Sequence, residues 1–190
     1  NFLLLLFCTM LTSLILGMGV PTTANYVITS TIAAPALLQL GVPILAAHMF
    51  VFYFGIIADI TPPVALAAYA GSAISGGEPL RTGVNASKLG IAAFIIPYVF
   101  VLSPEILGID ASLTSIVITT CTALIGMTGV SAGMIGYLAA KTNLFERLLL
   151  LGGGLLLIDP RLTTDAVGIG ILAFVLFLQL MRKKKNAKNI

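Results

Sequence analysis

Two short segments place polar and conformationally unusual residues inside otherwise apolar sequence. Residues 17–25 read Gly-Met-Gly-Val-Pro-Thr-Thr-Ala-Asn, and residues 59–63 read Asp-Ile-Thr-Pro-Pro. Because glycine tolerates left-handed backbone and proline lacks an N–H, each segment predicts an interrupted helix with free backbone groups. Carbonyl, hydroxyl, carboxamide and carboxylate oxygens are the ligands that hard cations prefer. The sequence therefore predicts a site for a cation such as sodium, built from these two segments.

Asp59 is the only acidic residue between Asn1 and Gly77. A carboxylate at membrane depth costs about 2.5–3.5 kcal/mol on insertion scales, which favours a cation-linked role. Two alternatives are capping of a half-helix that begins at Pro62 and a position at the membrane interface. His48, the lone histidine, is expected to be buried with a satisfied ring nitrogen, and proton coupling is the minority interpretation.

The elements that would hold these segments are membrane helices. The 190 residues are 58% hydrophobic and 9% charged, with a mean hydropathy of +1.10. A soluble domain carries about 25% charged residues, and a helix needs about 20 apolar residues to cross a bilayer core of about 30 Å. We therefore expect an all-α integral membrane protein, a polytopic helical bundle.

Several apolar runs are too short or too long for one simple span. Residues 1–40 form two half-length limbs around the first segment, which predicts a re-entrant hairpin. Residues 44–75 are broken at 59–63, which predicts a discontinuous helix. An ordinary loop and a simple proline kink are the alternatives. Irregular backbone is tolerated at membrane depth only where protein or water satisfies it.

The rest of the chain is predicted to contain loops and further spans. The expected features are a polar loop over 76–88, a span over 89–107 kinked at Pro97, a crossing over 111–140, a polar loop over 141–147, a short apolar run over 148–158 and a last one over 166–181. This divides the chain into 1–108 and 109–190. Close helix packing is expected at Gly126, Gly129, Gly133 and Gly136, and burial is expected at Cys8 and Cys121.

Basic residues predict the orientation, because cytoplasmic loops are enriched in Lys and Arg. A cytoplasmic C-terminus is indicated by Arg182, Lys183, Lys184, Lys185 and Lys188. Counting back with 148–158 as a crossing places the basic loops around Lys88 and Arg147 on the same side. If 148–158 lies in the interface instead, the inner and outer labels upstream invert.

Motifs of ATP hydrolysis, of zinc proteases and of dithiol redox enzymes do not occur in the sequence. It has no Walker loop, no His-Glu-x-x-His and no Cys-x-x-Cys. We expect no catalytic residues, no cofactor beyond a coupling ion, no metal beyond sodium and no nucleic-acid partner.

Two stretches resemble a known family. Gly-Met-Gly-Val-Pro-Thr-Thr-Ala-Asn-Tyr at 17–26 and Ile-Thr-Pro-Pro-Val-Ala-Leu-Ala-Ala-Tyr at 60–69 resemble the fused large permease of tripartite ATP-independent periplasmic (TRAP) transporters. The resemblance covers about residues 1–108 and implies half of an inverted-repeat, elevator-type transporter of a bacterial or archaeal inner membrane. The chain is then expected to be the C-terminal portion of a longer permease.

The resemblance also implies partners and site residues. A periplasmic solute-binding protein would deliver an organic anion, usually a carboxylate, and a sodium or proton gradient would drive symport; the remaining partners would be the N-terminal repeat, small-subunit-like helices and the bilayer. The implied cation ligands are Gly19, Thr22, Thr23, Asn25, Asp59 and Thr61. The implied substrate contacts are Pro21, Thr22, Thr23, Pro62 and Pro63. No arginine lies in these segments, so backbone amides, helix dipoles, hydroxyls or the missing half would hold a carboxylate.

Three other functions remain open at this point. A second family of ion-coupled carboxylate transporters would work without a binding protein. An intramembrane enzyme would need a second acidic or nucleophilic group beside Asp59. A non-transporting assembly subunit would not explain the two interruptions.

Overall fold

The computed structural model describes residues 1–158 and 162–187, with the backbone alone for 162 and 184–187. Most of these residues are helical, and no strand occurs among them apart from an isolated bridge between Tyr137 and Lys141. The chain divides into two compact units, Asn1–Ile109 and Asp110–Ile190. The sequence predicted a helical membrane protein, and the helical fold is confirmed.

The first unit contains seven helices and two 3₁₀ turns. Its α-helices are α1 (Phe2–Gly17), α2 (Thr22–Ile32), α3 (Ala34–Leu38), α4 (Ile44–Ile57), α5 (Leu66–Ser75), α6 (Pro79–Leu89) and α7 (Ile91–Leu102), and the 3₁₀ turns are Ala58–Ile60 and Pro104–Leu107. The interruption predicted at 59–63 is present, between α4 and α5.

Helix α4 is the centre of this unit, because it is apolar on every side and α1, α2 and α7 all pack on it. Phe50 and Phe54 are fully buried. Their rings meet that of Tyr98 on α7 edge-on, with centroids 5.3 and 5.8 Å apart, a favoured aromatic geometry. α1 and α2 form a helical hairpin that also packs on α4, and this hairpin positions the first polar segment.

The prediction of a loop over 76–88 is wrong, since most of this segment is helix α6. Pro79 at the first turn suits a helix start. The charged side chains of α6, Arg81 and Lys88, are exposed, while Gly83 is buried. The expected span over 89–107 is also shorter, because α7 ends at Leu102 and a 3₁₀ turn follows. α6 and α7 meet at a bend of 43°.

The second unit consists of α8 (Leu113–Ile135), α9 (Leu144–Leu156) and α10 (Leu162–Ala187). The expected crossing over 111–140 ends early because Gly136 adopts φ +86° and terminates α8. The expected loop over 141–147 is shorter than predicted, because Asn143 and Glu146 form a capping box that starts α9 at Leu144.

Close packing at the α8 glycines is confirmed for three of the four. A Cβ on Gly126 would lie 2.7 Å from the Gly154 carbonyl oxygen, and one on Gly129 would lie 2.7 Å from Leu172 Cδ2. A Cβ on Gly133 would lie 2.9 Å from Leu151 Cγ. Gly136 instead adopts the left-handed conformation of the turn that ends α8. The prediction that Cys8 and Cys121 are buried is wrong, since both are exposed. An apolar side chain on the outward side of a membrane helix can face lipid instead of protein.

Among the described residues, two helices are long and apolar enough to cross a membrane, within Leu113–Ile135 and Thr163–Lys183. The bent pair of α6 and α7 makes up to three if it is one span. α9 has 13 residues, about 20 Å of helix. Gln179 near the end of α10 bonds the backbone at Ala139, just beyond the end of α8. The C-termini of α8 and α10 therefore lie at the same end of this unit, and α9 packs on both helices. Lys188 lies outside the described residues.

Candidate functional site

The first polar segment is the tip of the hairpin between α1 and α2. α1 ends at Gly17, Gly19 takes φ +74°, which favours glycine, and α2 begins at Thr22. Pro21 precedes α2 and no side chain caps this helix. Thr22 and Thr23 are exposed, so the positive end of α2, with its free N–H groups, is accessible at the tip.

The second polar segment is the break between α4 and α5. Its tandem prolines cannot donate, so nearby carbonyls need other donors. The Thr61 hydroxyl donates to the Ile57 carbonyl at 2.7 Å, and the Tyr69 hydroxyl donates to the Pro63 carbonyl at 2.6 Å. α5 then starts after Ala65, which has φ +37° and no side-chain cap. The N-terminal end of α5 is a second helix start with unpaired N–H groups.

Helix α6 braces this break. The Ser87 hydroxyl donates to the Ile60 carbonyl at 2.9 Å. A Cβ on Gly83 would lie 3.2 Å from Pro62 Cγ and 3.3 Å from Ala65 Cβ, so only a small residue lets α6 pack this closely. The break is therefore held in a defined shape rather than acting as a free kink.

The tip and the break lie close to each other. A Cβ on Gly19 would lie 3.8 Å from Val64 Cγ1. Below this point α1 and α4 approach backbone to backbone, since a Cβ on Gly17 would lie 2.6 Å from the Gly55 carbonyl oxygen. Asn25 fills the space beside them, because a Cβ on Gly55 would lie 2.6 Å from Asn25 Oδ1.

Asn25 is the most unusual polar residue at this junction. Its side chain is 3% exposed, and its Oδ1 atom has no hydrogen-bond partner. Ser13, one helical turn before Gly17 on α1, is fully buried and its Oγ atom also has no partner. A buried oxygen without a donor costs about 1–3 kcal/mol, so such atoms in a native fold need an explanation.

Oxygens are the ligands that hard cations prefer, and further oxygens of the chain lie near Asn25. Gly55 lies one helical turn before Asp59, which places the Asn25 carboxamide near the end of α4 and its 3₁₀ extension. Asp59 is half-buried and forms no ion pair within residues 1–158 and 162–187. The Thr61 hydroxyl oxygen keeps its acceptor capacity while donating. Amide, carboxylate and hydroxyl oxygens of this kind would suit sodium better than a soft metal.

The remaining predicted residues are spread around this junction. Pro21, Thr22, Thr23 and Pro63 are exposed, and Pro62 is half-buried. Their roles in binding a cation or a substrate stay predictions. The sequence pattern did not point to Ser13, to Gly55 or to the two residues of α6 that brace the break, Gly83 and Ser87. The signal that could have identified Gly55 is its position one helical turn before Asp59.

His48 lies apart from the break, on the first half of α4. Its Nδ1 atom is 2.9 Å from the hydroxyl oxygen of Tyr26 on α2, and the two rings meet edge-on. The side chain is half-buried rather than buried. One ring nitrogen thus has a partner, as expected, and this contact ties α2 to α4.

The comparison with protein families decides the identity of the chain. The family model "Tripartite ATP-independent periplasmic transporter, DctM component" matches residues 1–115, which contain the hairpin, the break and helices α6 and α7. The chain belongs to this family. Neither the curated proteins nor the solved structures gave a match.

Because the chain belongs to the DctM family, the protein is a permease component of a membrane transporter. Permeases of this family associate in general with a periplasmic binding protein and with other subunits. The hairpin and the break are therefore parts of a transport protein, and their unpaired polar groups are candidates for binding what it transports.

Proposed function

We propose that this permease imports organic anions, namely carboxylates delivered by a periplasmic solute-binding protein, by symport with sodium. Protons are the second candidate for the coupling ion. The observation that carries the proposal is the buried, unpartnered Oδ1 atom of Asn25 beneath the point where hairpin tip and break lie close together. A cation beside this atom would supply the missing partner.

The cation would be held by oxygens of the tip and of the 3₁₀ turn. Asn25, Asp59 and Thr61 would supply side-chain oxygens, and the region of Gly19 and Thr22–Thr23 would close the site from the hairpin. The Asp59 carboxylate supplies the negative charge that a monovalent cation needs at low dielectric. We expect sodium affinity to depend on this charge more than on any single hydroxyl.

The anion would be held by the two uncapped helix starts. The N–H groups at the start of α2 and of α5 carry partial positive charge, which favours a carboxylate. Pro21, Thr22, Thr23, Pro62 and Pro63 would line this side of the substrate site. Since no arginine is present in either segment, neutral donors would replace the usual salt bridge.

The membrane arrangement is part of the same proposal. The hairpin of α1 and α2 would be re-entrant, and hairpin and broken helix would move together as one rigid body in an elevator-type step. The protein would lie in a bacterial or archaeal inner membrane with a cytoplasmic C-terminus. The common end of α8 and α10, which carries basic residues, would then face the cytoplasm.

Uptake into proteoliposomes tests the proposal. The complete permease would be assayed with radiolabelled organic acids, with and without its binding protein, under imposed sodium or proton gradients. We expect uptake only when both a gradient and the binding protein are present. Uptake without the binding protein would favour an ion-coupled carboxylate transporter that works independently of a binding protein. No uptake under any gradient would contradict the proposal.

A further inference from the structure

The second unit contains an apolar groove between α8 and α10. α9 packs closely on both of these helices, whereas α8 and α10 barely touch each other. This leaves a cavity of about 240 Å³ along their crease. The groove is lined by Ile125, Thr128, Gly129, Leu138, Leu150, Ile169, Leu172, Ala173 and Leu176.

The groove has a buried floor and exposed walls. Gly129, Leu150 and Leu172 are buried, and Leu172 can lie against α8 only because Gly129 has no side chain. Ile125 and Ile169 on the walls are 42% and 44% exposed. Both helices contain candidate membrane spans, so this crease opens where lipid chains lie.

One end of the groove is built from firmly held polar groups. Gln179 is fully buried, and its Oε1 accepts from the N–H groups of Ala139 and Ala140 at 3.1 Å each. Its Nε2 donates to Glu146 at 3.0 Å, and Arg182 pairs with the same carboxylate. The turn after α8, the start of α9 and the end of α10 are thereby tied together beside Leu138 and Leu176.

The acidic charge at this end is already neutralised. Glu146 is the only acidic side chain that the structure describes there, and Arg182 is its partner. Arg147 donates to the carbonyls of Gly133 and Met134 at 2.8 and 2.7 Å, which compensates the negative end of α8. The local charge that remains is positive.

Two lysines at this end have no such partner. Lys141 and Lys183 are exposed and form no ion pair among the described residues. Lys141 follows Leu138 by three residues in the clamped turn. Lys183 lies seven residues after Leu176, two turns and about 10 Å along the same face of α10, where the candidate span Thr163–Lys183 ends.

We propose that this groove binds an anionic phospholipid, with an acyl chain on Gly129, Leu150 and Leu172 and the phosphate at Lys141 and Lys183. The apolar groove fits a lipid chain, and the two exposed lysines near its end would complement a phosphate at headgroup depth. A zwitterionic lipid has the same chains but lacks the net charge. The site does not depend on the transport site of the first unit.

Lipid binding to the complete, delipidated permease in detergent tests the proposal by native mass spectrometry. Phosphatidylglycerol and phosphatidylcholine with identical chains would be titrated separately. We expect phosphatidylglycerol to bind more tightly than phosphatidylcholine. The dissociation constant of phosphatidylcholine divided by that of phosphatidylglycerol should fall by about 25-fold in Lys141→Gln/Lys183→Gln, about fivefold for each lysine. Lys88→Gln, at an exposed position of α6, is the matched control and should keep the ratio.

A second pair of variants tests the apolar groove independently of the two lysines. Ala173→Phe fills the groove with an aromatic ring and should remove one tightly held lipid of either kind, while Val167→Phe, on another face of α10, should retain it. Helix content by circular dichroism verifies that both variants are folded. Equal affinity of the wild type for the two lipids, or an unchanged ratio in the double lysine variant, would overturn the proposal.

Discussion

Each compact unit buries a carboxamide side chain, and the two carboxamides differ in their hydrogen bonding. In Asp110–Ile190, Glu146 and Gln179 are almost inaccessible, and both are hydrogen-bonded to each other and to their surroundings. In Asn1–Ile109, Asn25 and Ser13 are buried as deeply, but Asn25 Oδ1 and Ser13 Oγ have no partner. Thr142 Oγ1 is one exception in the second unit.

This difference distinguishes the structural polar network of the second unit from the cation site that we propose in the first. A satisfied network holds helices in one arrangement, and the second unit uses it to join α8, α9 and α10. Unpaired oxygens lower stability unless something binds them, and the first unit has them beneath the point where hairpin and break lie close together. A bound cation would offset that cost. The comparison predicts that substitutions will affect stability in one unit and ion dependence in the other.

The largest effect on stability is expected for Gln179→Leu. The N–H groups of Ala139 and Ala140 would lose their acceptor and Glu146 would lose a donor, so the free energy of unfolding should fall by about 3 kcal/mol. Denaturant titration of the complete permease measures this. Gln39→Leu, at an exposed position, should change it by less than about 0.5 kcal/mol. A loss below about 1 kcal/mol in Gln179→Leu would contradict a structural role for the network.

Asp59→Ala is expected to have the largest effect on transport. Removing the charge should raise the cation concentration for half-maximal uptake by at least about tenfold, or about 1.4 kcal/mol. Glu78→Ala, whose side chain is exposed, should leave it unchanged. Sodium and proton dependence equal to that of the wild type would remove Asp59 from the proposed site.

Asn25→Ala sharpens the comparison, because Oδ1 has no hydrogen bond to lose. We expect half-maximal uptake to need about tenfold more cation, while the free energy of unfolding changes by less than about 1 kcal/mol. Asn85→Ala, at an exposed position of α6, is the control for both measurements. A large loss of stability without a change in cation dependence would make Asn25 a structural residue like Gln179.

Stability should also depend on pH through Glu146. Burial alone raises the pKa of this carboxyl, but hydrogen bonds from Gln179, the Asn143 N–H and Arg182, with the Arg182 charge, hold the pKa below its ordinary value of 4.5. Its stabilising contribution is therefore present above pH 4.5 and is lost as the pH falls through the lowered pKa. Thermal unfolding followed by circular dichroism should show this loss in the wild type and in Glu78→Gln, but not in Glu146→Gln. An identical acid response in all three would contradict the assignment.

The smallest effect is expected for Ser87→Ala. The Ile60 carbonyl would lose its donor, so the free energy of unfolding should fall by about 1 kcal/mol. Ser30→Ala removes a hydroxyl that bonds only within its own helix and should change stability less. Equal effects of the two substitutions would show that α6 does not brace the break.

Local signals predicted much of the first unit. Gly19 and Pro21 marked the end of the hairpin limbs, and Pro62 and Pro63 marked the break, because their backbone chemistry acts within one turn. Helix α6 was missed because its polar residues resemble a loop, although they occupy the outer side of a helix. The capping box of Asn143 and Glu146 was a readable signal that was not used.

The sequence by itself determined the class of the protein, its two interruptions and the family to which it belongs, since apolar run length, proline and glycine act locally. Only the tertiary structure decided that Gly17 meets Gly55, that Asn25 is buried there without a partner, and that Gln179 closes a network with Glu146. Those contacts join residues far apart in the chain. Whether a buried oxygen finds a donor depends on which helices lie beside it, and no local pattern contains that information.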